Sequence, residues 1–131
     1  MEIKLKQSNV VGWFELYVAD LARAKAFYQD VFQHPLEDLP AQPGSELQMC
    51  AFPMLSDSPG APGALVKSPH MGPGSGGTLV YFSCTDCAVE SERAAAYGGA
   101  LRLPKMGIGP YGFIALVEDT EGNLIGLHSL K

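Results

Sequence analysis

Hydrophobic and polar positions alternate along two stretches of the chain, residues 12–18 and residues 79–84. Such alternation predicts β-strands that present one face to a helix and the other face to a separate layer. The predicted helix-facing residues are Phe14, Leu16, Val18, Val80, Phe82 and Cys84. The opposite faces carry Trp13, Glu15, Tyr17, Leu79, Tyr81 and Ser83. We expect this second set to face a cavity.

A helix is predicted after each of these strands, and each helix begins at an aspartate. Asp20 and Asp86 stand where a short carboxylate accepts the free N–H groups of a first helical turn. The first helix extends to Phe32, and the second runs from about Cys87 to Tyr97, before a Gly-Gly stop signal. The first helix has an apolar stripe of Leu21, Ala24, Phe27, Tyr28, Val31 and Phe32.

Three short strands are predicted after each helix, so the order βαβββ occurs twice. They lie near residues 35–39, 46–53, 63–67, 100–105, 112–118 and 124–129. The second strand–helix unit follows the first by 66 positions, about half the chain, which is typical of an internal repeat. The pattern therefore predicts an α+β fold, in which two tandem βαβββ modules form a curved eight-stranded mixed sheet around a cavity.

Gly- and Pro-rich segments separate the predicted elements. Residues 68–77 predict a linker between a first module of about residues 10–67 and a second of about residues 78–131. A chain of 131 residues fits a single domain.

Three further segments are predicted to be loops. Residues 53–63 and 104–112 read as flexible segments beside the cavity, and the sequence leaves open whether they close over it. Residues 119–123 read as a tight hairpin turn.

Composition and charge narrow the function classes. The chain is 47% hydrophobic and 18% charged, which is typical of a folded globular protein. Its nine Lys and Arg are scattered and the net charge is −5, which argues against nucleic acid and is compatible with a cationic or neutral ligand. No apolar run approaches the roughly 20 residues of a membrane span, and residues 1–6 lack a signal-peptide core. We therefore expect a cytoplasmic protein that does not bind membranes.

The repeated order, with the early motif Val18-Ala-Asp-Leu21 and Phe27-Tyr28 and the late motif at residues 117–122, resembles the vicinal oxygen chelate superfamily. That superfamily includes glyoxalase I, bleomycin-resistance proteins and extradiol dioxygenases. The resemblance covers about residues 10–129 and implies the fold predicted above and a homodimer. It leaves the activity open, because this fold hosts lyases, epimerases, dioxygenases and binding proteins.

The resemblance also implies where a metal would bind. In metal-dependent members the ligands come from the first and last strands of each module, and these positions correspond here to Trp13, Lys67, Leu79 and Gly126. None of these side chains is a usable ligand for a divalent ion, because none offers a free lone pair. We therefore expect no metal and no other cofactor, and we do not expect metal-dependent glyoxalase or dioxygenase chemistry.

Glu15 and Tyr81 occupy equivalent positions in the two modules, and His128 is predicted to join them in the cavity. These three are the candidate catalytic residues, since a buried Glu whose pKa is set by desolvation can act as a general base. The candidate ligand-binding residues are Trp13, Tyr17, Lys67, Ser83, Tyr111 and Phe113. The alternative is structural: a Glu15–Lys67 ion pair in the cavity, with Tyr81 and His128 only completing hydrogen bonds.

Cys84 and Cys87 form a C-x-x-C motif at a strand–helix junction, where a helix N-terminus stabilises a thiolate. A packing role is favoured over a redox role, because Cys84 faces the predicted core and no second pair completes a zinc site.

Two functions of different classes remain. One is a metal-independent small-molecule binding protein similar to bleomycin-resistance proteins. The other is a glyoxalase-related lyase or isomerase that uses Glu15 as a general base in place of a metal. A Glu15→Gln variant separates them, because an enzyme would lose turnover while it still binds its substrate.

Overall fold

The computed structural model describes residue 3 and residues 8–131, so most of the segment expected to lack a signal-peptide core lies outside the described residues. The elements are β1 Val11–Tyr17, α1 Leu21–Phe32, β2 Glu37–Leu39, β3 Gln48–Ala51, β4 Gly63–Lys67, β5 Thr78–Ser83, α2 Cys87–Ala96, β6 Ala100–Gly107, a 3₁₀ turn Gly109–Tyr111, β7 Phe113–Glu118 and β8 Leu124–Ser129. The eight strands form one mixed sheet in the order β2-β3-β4-β1-β5-β8-β7-β6. The predicted α+β architecture of two βαβββ modules is confirmed.

The two modules meet at the centre of the sheet, where β1 and β5 pair antiparallel. Trp13 lies opposite Tyr81, and Glu15 lies opposite Leu79. On the outer sides of this central pair, β4 runs parallel to β1 and β8 runs parallel to β5. The first strands of both modules therefore present their side chains next to one another.

The side chains separate onto two faces of the sheet, as the alternation predicts. Leu16 and Val18 pack beneath α1, while Phe82 and Cys84 pack with the cluster beneath α2. The opposite face, here called the concave face, carries a cluster whose buried members are Tyr17, Ala51, Ala64, Val66, Leu79 and Tyr81. Packed side chains therefore fill much of the concave face.

Both predicted N-caps are present. Asp20 accepts a hydrogen bond from the backbone N–H of Arg23, and Asp86 accepts one from that of Ala88. The sheet covers only part of the apolar stripe on α1. Leu21, Ala24 and Tyr28 of this helix pack against the buried cluster between the helix and the sheet. The uncovered residues are Phe27, Val31 and Phe32, which are 57%, 53% and 58% exposed.

The predicted loop at residues 104–112 is wrong at its beginning, because β6 continues through Pro104 to Gly107. A proline lacks a backbone N–H, and edge strands tolerate this loss. β6 is an edge strand that pairs only with β7, and its register shifts between Leu103 and Met106.

The other predicted connections agree with the structure. Residues 68–77 contain no helix or strand. In the β7–β8 turn, Asp119 accepts hydrogen bonds from the backbone N–H groups of Glu121 and Asn123. Among the described residues, no helix is long and apolar enough to cross a membrane.

Candidate ligand-binding site

Glu15 lies on β1 at the centre of the sheet and is 8% exposed. Its carboxylate accepts a 2.7 Å hydrogen bond from the Tyr17 hydroxyl and a 3.1 Å hydrogen bond from the indole N–H of Trp13. Residues two apart on a strand share a face, so the local pattern Trp-x-Glu-x-Tyr is sufficient to form this arrangement. We call these three residues the Glu15 clamp.

Burial dominates the electrostatics of the clamp. It raises the pKa of Glu15, and the hydrogen bonds from Tyr17 and Trp13 oppose that rise only in part. Burial, together with the nearby Glu15 charge, also raises the pKa of Tyr17 and of Tyr81. Both phenols therefore remain neutral at physiological pH, and Tyr17 serves as a hydrogen-bond donor.

The alternative of a Glu15–Lys67 ion pair is wrong, and Lys67, a predicted ligand-binding residue, does not line the cavity. β4 pairs with β1 so that Ala64 lies beside Glu15 and Val66 lies beside Tyr17. Because strand residues alternate in direction, Lys67 projects from the other face, where it is exposed. Glu15 takes its hydrogen bonds from its own strand instead.

A cavity of about 350 Å³ opens at one end of the central strands. It is lined by Gly12, Trp13, Tyr81, Ser83, Cys84, His128, Ser129 and Leu130. The structure thus brings together four of the predicted site residues, from β1, β5 and β8. Glu15 and Tyr17 lie behind this lining and are not part of it.

His128 has a defined role at the cavity wall. Its Nε2 lies 2.6 Å from the backbone oxygen of Tyr111. A carbonyl oxygen only accepts hydrogen bonds, so Nε2 carries a proton, and in the neutral ring Nδ1 is left as an acceptor. Tyr111 therefore contributes through its backbone, while its side chain is 48% exposed.

The 3₁₀ turn that holds this oxygen requires a glycine after it. Gly112 has φ 101°, and an added Cβ there would overlap the backbone oxygen of Ser129. This close approach brings the turn against β8 and beside His128.

Phe113 is placed away from the cavity. It packs with the cluster beneath α2, and the Lys105 amino group lies 4.6 Å from the centre of its ring. Lys105 also donates a 2.9 Å hydrogen bond to Asp86, the N-cap of α2. The surroundings of Phe113 are those of a packing residue.

A larger cavity, of about 430 Å³, is lined by residues 8–11, Gly60 and Ala61. None of these residues has an acidic, basic or aromatic side chain. The smaller cavity is therefore the better candidate site, despite its size.

The four positions that hold a metal in related folds do not fit one here. The strand register shows that the ligand-equivalent position on β4 is Ala64 and not Lys67. In the first module Ala64 lies beside Glu15, and in the second module Gly126 lies beside Tyr81, the residue equivalent to Glu15. The four residues are then Trp13, Ala64, Leu79 and Gly126. The ring of Tyr81 fills the space over Gly126, where an added Cβ would overlap it. In residues 8–131 and residue 3, no three His, Cys, Asp or Glu side chains group together around a metal position.

Cys84 lies at the cavity wall, but its thiol is poorly suited to nucleophilic chemistry. Burial and the nearby Glu90 raise its pKa to about 11, so that little thiolate forms near neutral pH. Its partner in the C-x-x-C motif, Cys87, is fully buried, and both are free thiols.

The sequence patterns did not indicate Gly12, Ser129 and Leu130 as lining residues. The hydrogen bonds from Trp13 and Tyr17 to Glu15 were also not predicted, although three polar or aromatic side chains on one strand face were a sufficient signal for them.

Several proteins of known structure share this fold. A family described as Bleomycin resistance protein-like N-terminal matches residues 11–32. Methylmalonyl-CoA epimerase from Mycobacterium tuberculosis is 17% identical, with a TM-score of 0.69 over 98% of this chain and 93% of that one. A methylmalonyl-CoA epimerase variant from Streptomyces coelicolor, in complex with 2-nitronate-propionyl-CoA, is 13% identical, with a TM-score of 0.70 over 92% of this chain and 96% of that one.

A hypothetical protein from Bacillus halodurans is similar to the same degree, with 11% identity and a TM-score of 0.72 over 95% of this chain and 96% of that one. No curated protein sequence matches the chain. At such low identity these likenesses establish the fold and leave the activity open.

Proposed function

We propose, for a chain with the fold of the vicinal oxygen chelate superfamily, that its function is the metal-independent binding of a small organic molecule. The observation that carries this proposal is the cavity that joins Trp13, Tyr81, Ser83 and His128. An aromatic wall with a few convergent polar groups is the usual composition of a small-molecule site. The volume of about 350 Å³ lies within the range of such sites.

Metal independence is supported by the side chains at the four ligand-equivalent positions. Of these, Ala64 and Leu79 are buried alkyl groups, and Gly126 is covered by Tyr81. Trp13 directs its only N–H group at Glu15. The chain uses this part of the concave face for packing and for the Glu15 clamp.

The position of Glu15 favours binding over catalysis. Both carboxylate oxygens already accept hydrogen bonds, and the residue lies behind the cavity wall. A general base must come within hydrogen-bond distance of the proton that it removes. Trp13 lines the cavity and hydrogen-bonds Glu15, whereas Glu15 itself does not line it.

A second candidate function, a glyoxalase-related lyase or isomerase with Glu15 as general base, is favoured by one observation. Burial raises the pKa of Glu15, which makes its carboxylate a stronger base than an exposed one. Structural neighbours that are epimerases are in keeping with proton transfer in this fold. This candidate requires Trp13 or Tyr17 to move away from the carboxylate.

The test is equilibrium dialysis of chelator-treated protein against a small-molecule extract of its host, with bound compounds identified by mass spectrometry. We expect wild type to enrich a compound without added metal, and Ser83→Phe, which fills the cavity from an exposed position, to lose it. Thr78→Phe, at another exposed position of β5, is the matched control and should retain it. Equal enrichment by wild type and Ser83→Phe would place the ligand elsewhere and refute the assigned site.

The same compound, once identified, tests the alternative function. A binding protein returns it unchanged, whereas an enzyme converts it. Conversion by wild type, together with binding but no conversion by Glu15→Gln, would establish the lyase or isomerase function.

We also propose that the protein acts in the cytoplasm as a homodimer. Three free cysteines suit a reducing compartment such as the cytoplasm.

The proposed dimer is supported by α1. The exposed Phe27, Val31 and Phe32 on this helix form an apolar surface of the kind that a second copy covers. Analytical ultracentrifugation tests this: wild type should sediment as a dimer and Phe27→Glu as a monomer. A monomeric wild type would refute the proposed dimer.

A further inference from the structure

We propose that the cavity selects a ligand with a cationic group, a quaternary or protonated amine, held against Trp13 and Tyr81 with the carboxylate of Glu15 behind them. This inference rests on the proposed binding function and deepens it by naming the chemical class of the ligand. It is carried by three features of the site, which are the aromatic wall, an uncompensated buried acid and the absence of basic groups.

The aromatic wall comes from two strands. Trp13 on β1 and Tyr81 on β5 lie directly opposite each other, and both line the cavity. The indole N–H of Trp13 is occupied by Glu15, so the group that remains for a ligand is the aromatic ring. Aromatic ring faces attract cations, and Trp does so most strongly. Donation of the N–H to a carboxylate adds electron density to that ring and strengthens the attraction.

Among the described residues, no basic side chain forms an ion pair with the buried carboxylate of Glu15. The ion pairs within residues 8–131 all involve other acids, and the Lys67 once expected beside Glu15 is exposed on the opposite face. Burying a carboxylate without a cation costs free energy, and its two hydrogen bonds recover only part of that cost. A cation that binds in the cavity against Trp13 and Tyr81 supplies the positive charge that balances the Glu15 carboxylate.

The lining itself does not compete with such a ligand. Among the described residues that line the cavity, none is Lys, Arg, Asp or Glu. The ionisable groups at or beside the cavity are the carboxyl of Glu15, the phenols of Tyr17 and Tyr81, the thiol of Cys84 and the imidazole of His128. In its neutral form His128 presents Nδ1 as an acceptor, which suits an ammonium N–H or a hydroxyl of the ligand.

An anionic ligand fits this site poorly. Phosphate groups are bound in proteins mainly by Arg, Lys or helix N-termini. The cavity lining offers no Arg or Lys among the described residues, and the chain carries a net charge of −5. The CoA ester in the Streptomyces coelicolor structure is therefore a useful negative probe here.

The experiment compares choline with its neutral isostere, 3,3-dimethylbutan-1-ol, in which carbon replaces the charged nitrogen. Binding to full-length protein at pH 8 is followed by the fluorescence of Trp13, the only tryptophan of the chain, and by ligand-observed NMR. We expect wild type to bind choline about tenfold more tightly than the isostere. Glu15→Gln should lose most of this preference, because only the aromatic rings then attract the cation, while Glu37→Gln, which removes an exposed charge on β2, should keep it in full.

Glu15→Gln is expected to fold, because an amide can satisfy both neighbours. Its oxygen accepts from the Trp13 N–H, and its NH₂ donates to the Tyr17 hydroxyl, which can rotate to accept. Trp13→Leu supplies a second variant, which keeps the Glu15 charge and removes the aromatic ring. It should also lose most of the preference for choline.

The outcomes separate this inference from the proposed function. Equal binding of the two probes by wild type, or an undiminished choline preference in Glu15→Gln, overturns the cation selectivity and leaves a binding site for neutral molecules. Saturable binding of 2-nitronate-propionyl-CoA in preference to choline overturns it in favour of an anionic class. If neither probe binds up to its solubility limit, the cation selectivity is refuted, and the dialysis experiment alone then decides the proposed function.

Discussion

The ring of Tyr81 lies directly over Gly126 on the neighbouring strand, so that no side chain fits at position 126 while the ring stays in place. Gly126 is one of the positions that hold a metal in related folds. The aromatic ring that lines the candidate cavity thus occupies the volume that a metal-ligating side chain at position 126 would require. Tyr81 and Gly126 form one structural unit.

This relationship predicts strong coupling between the two residues. Gly126→Ala should lower the free energy of unfolding by about 1–3 kcal/mol, because the new methyl group forces the ring aside. In a Tyr81→Ala background the same change should cost little, since the ring is gone. Urea denaturation of the four proteins of this double-mutant cycle gives the coupling.

Gly72→Ala is the control, because an added Cβ at Gly72 meets nothing within 4 Å. An equal cost of Gly126→Ala in both backgrounds would show that Tyr81 does not occupy this space.

Glu15 predicts a specific dependence of stability on pH. Burial raises its pKa above the ordinary value of 4.5, so the folded state binds the proton more tightly than the unfolded state. The resulting stability is fully present below pH 4.5 and is lost as pH rises through the folded-state pKa. The free energy of unfolding of wild type minus that of Glu15→Gln should therefore fall across this interval and then level off.

Urea denaturation from pH 4 to pH 8 measures this difference. Because other carboxylates titrate in the same range, Glu37→Gln, which removes an exposed carboxylate on β2, serves as the matched reference. A difference that rises with pH would mean that the donors Trp13 and Tyr17 outweigh the desolvation of Glu15.

The Tyr17 hydroxyl predicts a further effect on the same carboxylate. Tyr17→Phe removes one of two donors to a buried charge, and loss of such a hydrogen bond costs about 1.5–3 kcal/mol. The pKa of Glu15 should rise further, and the titration seen in Trp13 fluorescence should move to higher pH. Tyr97→Phe, at a residue that is 74% exposed, is the control. An unmoved titration would mean that Tyr17 does not stabilise the carboxylate.

His128 predicts a single neutral tautomer. Its bond to the Tyr111 carbonyl requires a proton on Nε2, so the neutral ring should be the Nε2–H form. Long-range ¹H–¹⁵N correlation spectra distinguish the two nitrogens directly. A proton on Nδ1 would contradict the arrangement and would remove the acceptor that we assign to the cavity.

The sequence predicted the parts of the site that depend on local spacing. Alternation along β1 and β5 was enough to place Trp13, Glu15 and Tyr81 on the concave face, and the two aspartates marked where the helices begin. These features follow from the period of a strand and from the unpaired N–H groups of a helix.

The parts that depend on strand register were not predictable in the same way. Between β1 and β4 lie a helix, two strands and a loop, and no local pattern states which residue of β4 faces Glu15. Ala64 lies three residues before Lys67, the residue expected at this position. Because three is an odd number, this shift also moves the side chain to the other face of the sheet. The bond between His128 and Tyr111 likewise depends on the 3₁₀ turn, which follows a strand longer than predicted.

Native mass spectrometry of the protein purified from its own host tests the central claim most directly, because it reports metal, organic ligand and subunit number together. The account predicts a dimer that carries an organic mass and no metal, and that loses this mass in Ser83→Phe. A stoichiometric divalent ion in wild type would contradict the account, since none of Trp13, Ala64, Leu79 and Gly126 offers a side-chain ligand for it.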